Sequence, residues 1–437
     1  MFYRFIISII GLLLILGCSK SGGNSTDSKP VTQVIDYNTK YSNSQNVVFD
    51  KPLVIKSIDP ETQKILSING KFFFVTSFSE LQGTTFDYLR SFSVDTTKGA
   101  LLENTSSFLG GYYPSGFPKS PFWYEDLNGD NIKDLFISDH GKETPSLMVN
   151  GQFPGFVCHL FLGNSNGTFT KGDIDDVTTT ARFYHNSGVG DVDRDGKKDL
   201  VVQSFTSEEM MLFLNSNGIL TKKLNITPNN KTGSVYVGDV DGDNVTDIIS
   251  APYIDKGSIP STYIKKINVS GSTYSSTNIS PITPFGAGFG CYKVFAIKNP
   301  QNTNQTNVYY MVENGNGSQN IFRSKDTDLS TIEDVSTIQN TYHSNGNRDF
   351  QVMDLNFDGF DDIFFYTNSG QNLNSRVWIN NGKNVFSNPS WEVNDNLTGN
   401  FIPLFSNSKS GRTKFLYVDY NATTLTSQII DVYTKNK

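Results

Sequence analysis

The sequence predicts an all-β fold, a seven-bladed β-propeller. Three observations carry this: short apolar runs in place of long helical periods, an acidic nine-residue segment that recurs four times, and a length that divides into seven units. The apolar runs include 71–75, 135–138, 200–203 and 363–366, and clusters of Asn, Gly, Ser and Asp separate them. Short strands between turn signals define a sandwich, barrel or propeller, and repeats decide among these.

The recurrent segments are DLNGDNIKD (126–134), DVDRDGKKD (191–199), DVDGDNVTD (239–247) and DLNFDGFDD (354–362). Each is flanked by strand-forming residues, so the unit reads as strand, acidic loop, strand. An Asn/Gly turn follows downstream at 160–169, 212–220 and 377–386, which supplies the remaining strands of a four-stranded sheet. The loop starts lie 65, 48 and 115 residues apart, and the last interval is about twice a unit. A unit without the acids is expected there, at 294–310. Similar degenerate units are expected near 65–71 and 404–418. Four clear and three degenerate units over residues 46–437 give 56 residues per unit, the size of a four-stranded blade with generous loops. One ring then uses the whole segment, with no second domain.

Composition agrees with a large folded core. The chain has 437 residues, of which 13% are aromatic and only 18% charged, with 33 Phe and 20 Tyr. Such a chain is neither disordered nor a coiled coil. Its net charge of -7 and the absence of any basic run exclude the phosphate neutralisation on which nucleic-acid binding rests.

The first residues read separately. Arg4 gives a positive start, residues 5–16 are apolar, and Ile15-Leu16-Gly17-Cys18 follows. Twelve apolar residues are too few for a membrane-spanning helix, which needs about 20, so residues 1–17 read as a signal peptide. The ILGC stretch resembles the bacterial lipobox, which implies lipidation of Cys18 and anchoring of the mature chain to a membrane. Residues 18–45, small and polar at their start, are expected to be a flexible tether. The expected location is the bacterial cell envelope, lipid-anchored, periplasmic or at the cell surface.

In every acidic segment, positions 1, 3, 5 and 9 are Asp or Asn: Asp126, Asn128, Asp130 and Asp134; Asp191, Asp193, Asp195 and Asp199; Asp239, Asp241, Asp243 and Asp247; Asp354, Asn356, Asp358 and Asp362. Carboxylates this dense repel one another unless a hard cation lies among them. Calcium accepts six to eight oxygens from alternate side chains of a tight loop and one backbone carbonyl. Position 7 is expected to give that carbonyl, from Ile132, Lys197, Val245 and Phe360. Position 6 is Asn131, Gly196, Asn244 or Gly359, residue types that tolerate the left-handed backbone of a sharp turn. Strand residues stand where an EF-hand has its helix. The expectation is therefore about four structural Ca2+ ions, each fixing the turn between the inner strands of its blade. Magnesium, which keeps its waters, suits such a cage less well.

These loops, with Asp247-Ile-Ile-Ser-Ala-Pro252 in one unit, resemble the FG-GAP/VCBS-type repeats of integrin alpha propellers and of many bacterial secreted proteins. The resemblance implies a seven-bladed propeller, calcium and an extracellular setting. Members of that family include adhesins, lectins and polysaccharide lyases. The full Phe-Gly and Gly-Ala-Pro signatures are mostly missing, so integrin-like partner binding does not carry over.

Residues just before each inner strand are expected around the channel mouth opposite the acidic loops. They include Tyr112, Tyr113, Phe122-Trp123-Tyr124, Arg182-Phe-Tyr184-His185, Gly290-Cys-Tyr292-Lys293, and Tyr342-His343 with Arg348; His140 is expected on the same face. Aromatic rings beside Arg and His suit a sugar platform, and the expected function is a binding or adhesion module for glycan or protein. The alternative is a polysaccharide lyase, with catalytic candidates Tyr184, His185, Arg182, Tyr342, His343 and Arg348. Cys158 and Cys291 fall in different predicted blades, too far apart to pair, and are expected to be free, buried thiols.

Overall fold

The computed structural model describes residues 100–112, 122–139, 155–204, 209–227, 232–252, 263–281, 290–299, 302–313, 319–324 and 329–338; elsewhere it describes little more than strand backbone. The described strands form seven four-stranded antiparallel sheets, the blades of a β-propeller. In blades 1 to 6 the strands pair in chain order. Blade 2 comprises Phe122–Glu125, Asp134–Ile137, His159–Gly163 and Phe169–Gly172. Blade 3 comprises Tyr184–Gly190, Asp199–Ser204, Glu209–Ser216 and Ile219–Ile226. Blade 4 comprises Thr232–Gly238, Asp247–Pro252, Tyr263–Ser270 and Thr273–Pro281.

Two of the degenerate units lie where expected. Blade 5 opens with Gly290–Asn299 and Asn302–Glu313, and direct pairing of Asn299 with Asn302 replaces the acidic loop by a tight hairpin. Blade 7 opens with Asn400–Asn407 and Arg412–Tyr420. Blade 1 is built on Leu53–Ile55 and Lys71–Thr76, so the expected 65–71 unit lies largely outside the described residues.

One expectation needs correction. Ile35–Asp36, inside the segment read as tether, pairs with Leu425–Tyr433 and supplies the outer strand of blade 7, with Ile35 opposite Val432. The propeller therefore begins before residue 46. A two-residue strand has no periodicity to betray it; only pairing with the far end of the chain makes it one.

The second strands explain the continuous apolar runs. Asp199–Ser204 is buried at every position, because a middle strand is covered on both faces. Leu200 and Val202 pack with Phe136, Leu160 and Tyr184 toward blade 2. Val201 packs with Val235, Val237 and Ile248 of blade 4. Ile249 and Ala251 turn the other way, onto Val294, Val308 and Tyr310 of blade 5. Each such side chain contributes about 1.5–3 kcal/mol on burial, and the core is thus a series of layers between blades.

The first strands of blades 2 to 5 pack against their successors and are joined by a polar belt. Trp123 Nε1 donates to Ser187 Oγ (2.9 Å), Asn186 Nδ2 donates to Ser234 Oγ (3.1 Å), and Val294 N donates to the same Ser234 Oγ (2.8 Å). Gly188 permits the closest approach: a Cβ there would lie 2.4 Å from Val237 Cγ2. Strand register shifts at the start of the first strand in blade 3 (Tyr184/Asn186), blade 4 (Thr232/Ser234) and blade 5 (Cys291/Lys293), a bulge repeated around the ring.

Candidate metal loops and binding surface

The acidic loops of blades 2, 3 and 4 share one hydrogen-bond pattern. The first Asp accepts from the amide of position 6: Asn131 N to Asp126 (2.8 Å), Gly196 N to Asp191 (3.0 Å) and Asn244 N to Asp239 (2.9 Å). Position 5 accepts from position 7, with Ile132 N to Asp130 (2.7 Å), Lys197 N to Asp195 (2.9 Å) and Val245 N to Asp243 (2.8 Å). Asn128, Asp193 and Asp241 each accept from the amide two residues on. Position 6 is left-handed at Asn131, Gly196, Asn244 and Gly359, as the residue types predict. Position 4 is left-handed too, at Gly129, Gly242 and, against its side chain, Arg194.

Position 9 has a different role from its neighbours. Asp134, Asp199, Asp247 and Asp362 are all buried. Asp199 accepts from Val192 N (2.7 Å) within the loop and from Asn215 N (2.9 Å) on the third strand. Asp134 does the same with Leu127 N (2.8 Å) and Gly163 N (2.9 Å), and Asp362 accepts from Asn380 N (2.8 Å). This aspartate pins the loop to the sheet. Burial pushes both the Asp134 and the Asp199 carboxyl up to about 6, although the backbone amides favour the ionised form.

The donor set fits a hard cation. Asp191, Asp193 and Asp195 each offer an oxygen within 4.8 Å of the other two, and these acidic clusters can hold a metal ion. In blade 2, Asn128 partly compensates the acids by donating its amide to Asp130 (3.0 Å). In blade 4, Asp239, Asp241 and Asp247 converge as closely, but Lys266 Nζ lies 2.7 Å from Asp241 and 2.6 Å from Asp247. Burial opposes the charge on Lys266, yet the two carboxylates hold its pKa above the usual lysine range. Asp354, Asn356 and Asp358 of the blade 6 loop lie outside the described residues; Phe360 follows the left-handed Gly359 at its end.

The aromatic and basic candidates divide. Tyr184 is fully buried in the layer between blades 2 and 3, and its hydroxyl donates to Thr180 O (2.8 Å), so it is a core residue and not part of an exposed platform. Arg182 is tied to Asp176 (2.7 Å), which Lys222 also contacts (2.6 Å). His185 stands in the strand at the bulge, and Arg348 begins the first strand of blade 6. Tyr342, His343, His140 and Tyr113 lie outside the described residues. Phe122 is buried, whereas Trp123 and Tyr124 are half-buried. Cys158 and Cys291 are free and buried, and burial pushes the Cys291 thiol up to about 12. Among the described residues no helix is long and apolar enough to cross a membrane.

Sequence reasoning did not find a groove on blade 2, between the acidic loop and the 163–168 hairpin. It encloses about 430 Å³ and is lined by Tyr124, Lys133, Asn164, Asn166, Thr168 and others. Lys133 Nζ sits 5.4 Å from the centre of the Tyr124 ring.

These features define a β-propeller whose inner turns are acidic loops. Comparison with known proteins agrees: residues 126–202 and 191–250 match the FG-GAP-like repeat family, so the chain carries FG-GAP-like repeats. No curated protein matches the sequence. Similar solved structures include the WD40 domain of Toxoplasma gondii coronin, at 10% identity and TM-score 0.45, covering 92% of this chain and 89% of that one. Another is the periplasmic gluconolactonase of Pseudomonas aeruginosa, at 12% identity and TM-score 0.44, covering 78% of this chain and 85% of that one.

Proposed function

We propose that this protein is a calcium-stabilised binding module for glycan or protein, held at a bacterial membrane through a lipid on Cys18 and placed in the periplasm or at the cell surface. The observation that carries the binding reading is the blade 2 groove. Its lining combines a half-buried tyrosine ring with a lysine and side-chain amides, which suit the apolar faces and hydroxyls of a sugar. Calcium in the acidic loops would neutralise their carboxylates and hold the groove wall that Asn131 and Ile132 form. Tyr184 and Arg182, two residues the lyase reading would use, serve the core and an ion pair.

A glycan-array screen of the protein in calcium tests this. Binding that weakens in Lys133→Ala and Asn166→Ala is the expected result. Unsaturated products released from an acidic polysaccharide would overturn it in favour of a lyase.

A further inference from the structure

We infer that in blade 4 the ammonium of Lys266 takes the place of the ion, so that this acidic loop closes without metal and excludes calcium. The inference rests on the reading that the other acidic loops bind calcium.

The register shows how unusual this lysine is. Lys266 pairs with Ile249, one residue beyond the pair that follows the position-9 aspartate. The equivalent pairs are Phe136 with Leu160 in blade 2, Val201 with Leu212 in blade 3 and Phe364 with Val377 in blade 6. Three blades place an aliphatic residue where blade 4 places a cation. The ammonium bonds both Asp241 at position 3 and the buried Asp247 at position 9. In blade 3 the corresponding oxygen of Asp199 takes a backbone amide instead, from Asn215.

Two other lysines near the loops, Lys197 and Lys133, make different contacts. Lys197 belongs to its own loop and meets only Asp195, at 3.1 Å, with twice the exposure of Lys266 (37% against 18%). Lys133 pairs with Glu125, outside the loop (3.7 Å). A divalent ion bound by Asp239, Asp241 and Asp247 would lie within a few ångströms of the Lys266 ammonium, where like charges repel strongly and burial limits screening. The two cations exclude each other, and the lysine is covalently present.

The test counts calcium bound per chain by mass spectrometry after equilibrium dialysis. Lys266→Met and Lys266→Gln should each bind one ion more than the wild type. Asp243→Ala in the otherwise native protein should leave the count unchanged, whereas Asp195→Ala, at the equivalent position 5 of blade 3, should lower it by one. In EDTA, Lys266→Met should melt below the wild type, and added calcium should close that gap. A count that falls by one in Asp243→Ala, or one that is equal in wild type and both Lys266 variants with calcium bound, would overturn the exclusion while leaving the calcium reading intact. No calcium on any of these proteins would instead sink the calcium reading, and an unchanged melting temperature of Lys266→Met in EDTA would show that Lys266 does not hold the loop.

Discussion

Asn215 of blade 3 donates its side-chain amide to the backbone carbonyl of Leu127 in the acidic loop of blade 2, at 3.1 Å. The same residue gives its backbone N–H to Asp199 and accepts from Gly218 N with its side-chain oxygen. One buried asparagine thus joins the acidic loops of two neighbouring blades. Asn215→Ala leaves the Leu127 carbonyl unpaired and is expected to destabilise the propeller by about 1–3 kcal/mol, read from denaturant unfolding. Asn215→Asp, which offers no amide, should not rescue it.

Positions within one acidic loop separate into anchors and ligands. Asp199→Ala removes the acceptor of two backbone amides at a fully buried site, so it should cost about 2–4 kcal/mol in EDTA as well as in calcium. Asp193→Asn alters an exposed residue and should change stability in EDTA by less than about 0.5 kcal/mol, while weakening calcium-dependent stabilisation. Thermal melts of both variants, with and without calcium, check the split.

The buried anchors also set a pH dependence. Burial raises the carboxyl groups of Asp134 and Asp199 to about 6, well above the usual aspartate range. A raised acid binds its proton more tightly in the folded state, so its contribution is fully present below about pH 4 and is lost as pH rises toward 6. In EDTA, this part of the stability should therefore decline between about pH 4 and 6. Calcium held by the neighbouring carboxylates favours the ionised form of these anchors and should oppose the decline. Unfolding measured across that range in both conditions checks the sign.

Gly188 offers a packing test. A Cβ there meets Val237 Cγ2 at 2.4 Å, so Gly188→Ala should cost about 1–3 kcal/mol by overpacking. The double variant Gly188→Ala/Val237→Ala should recover part of that loss, and a double-mutant cycle of unfolding free energies measures the coupling.

Much of this fold is legible in the chain because Asp or Asn at positions 1, 3, 5 and 9 recurs, and each position 9 opens the second strand of its sheet, as Asp199 and Asp247 do. Two-residue periodicity does not tell a buried tyrosine from an exposed one where the register shifts. Tyr184 stands next to such a shift and turns into the core, although the residues around it read as a polar platform. Lys266 is illegible for another reason. Its partners Asp241 and Asp247 lie 25 and 19 residues away, and only strand pairing brings the three together. The left-handed turn at Arg194 is hidden because the residue type argues against it.

The pairing of Ile35 with Val432 has a mechanical side. A chain held by its N-terminal end would transmit any pull on the domain first to this two-residue outer strand of blade 7. So few hydrogen bonds at an open edge give way before the four-stranded interior of any other sheet. Pulled at Ile35, the molecule would therefore release its clasp and lengthen slightly at low force, leaving the six remaining blades and their acidic loops folded.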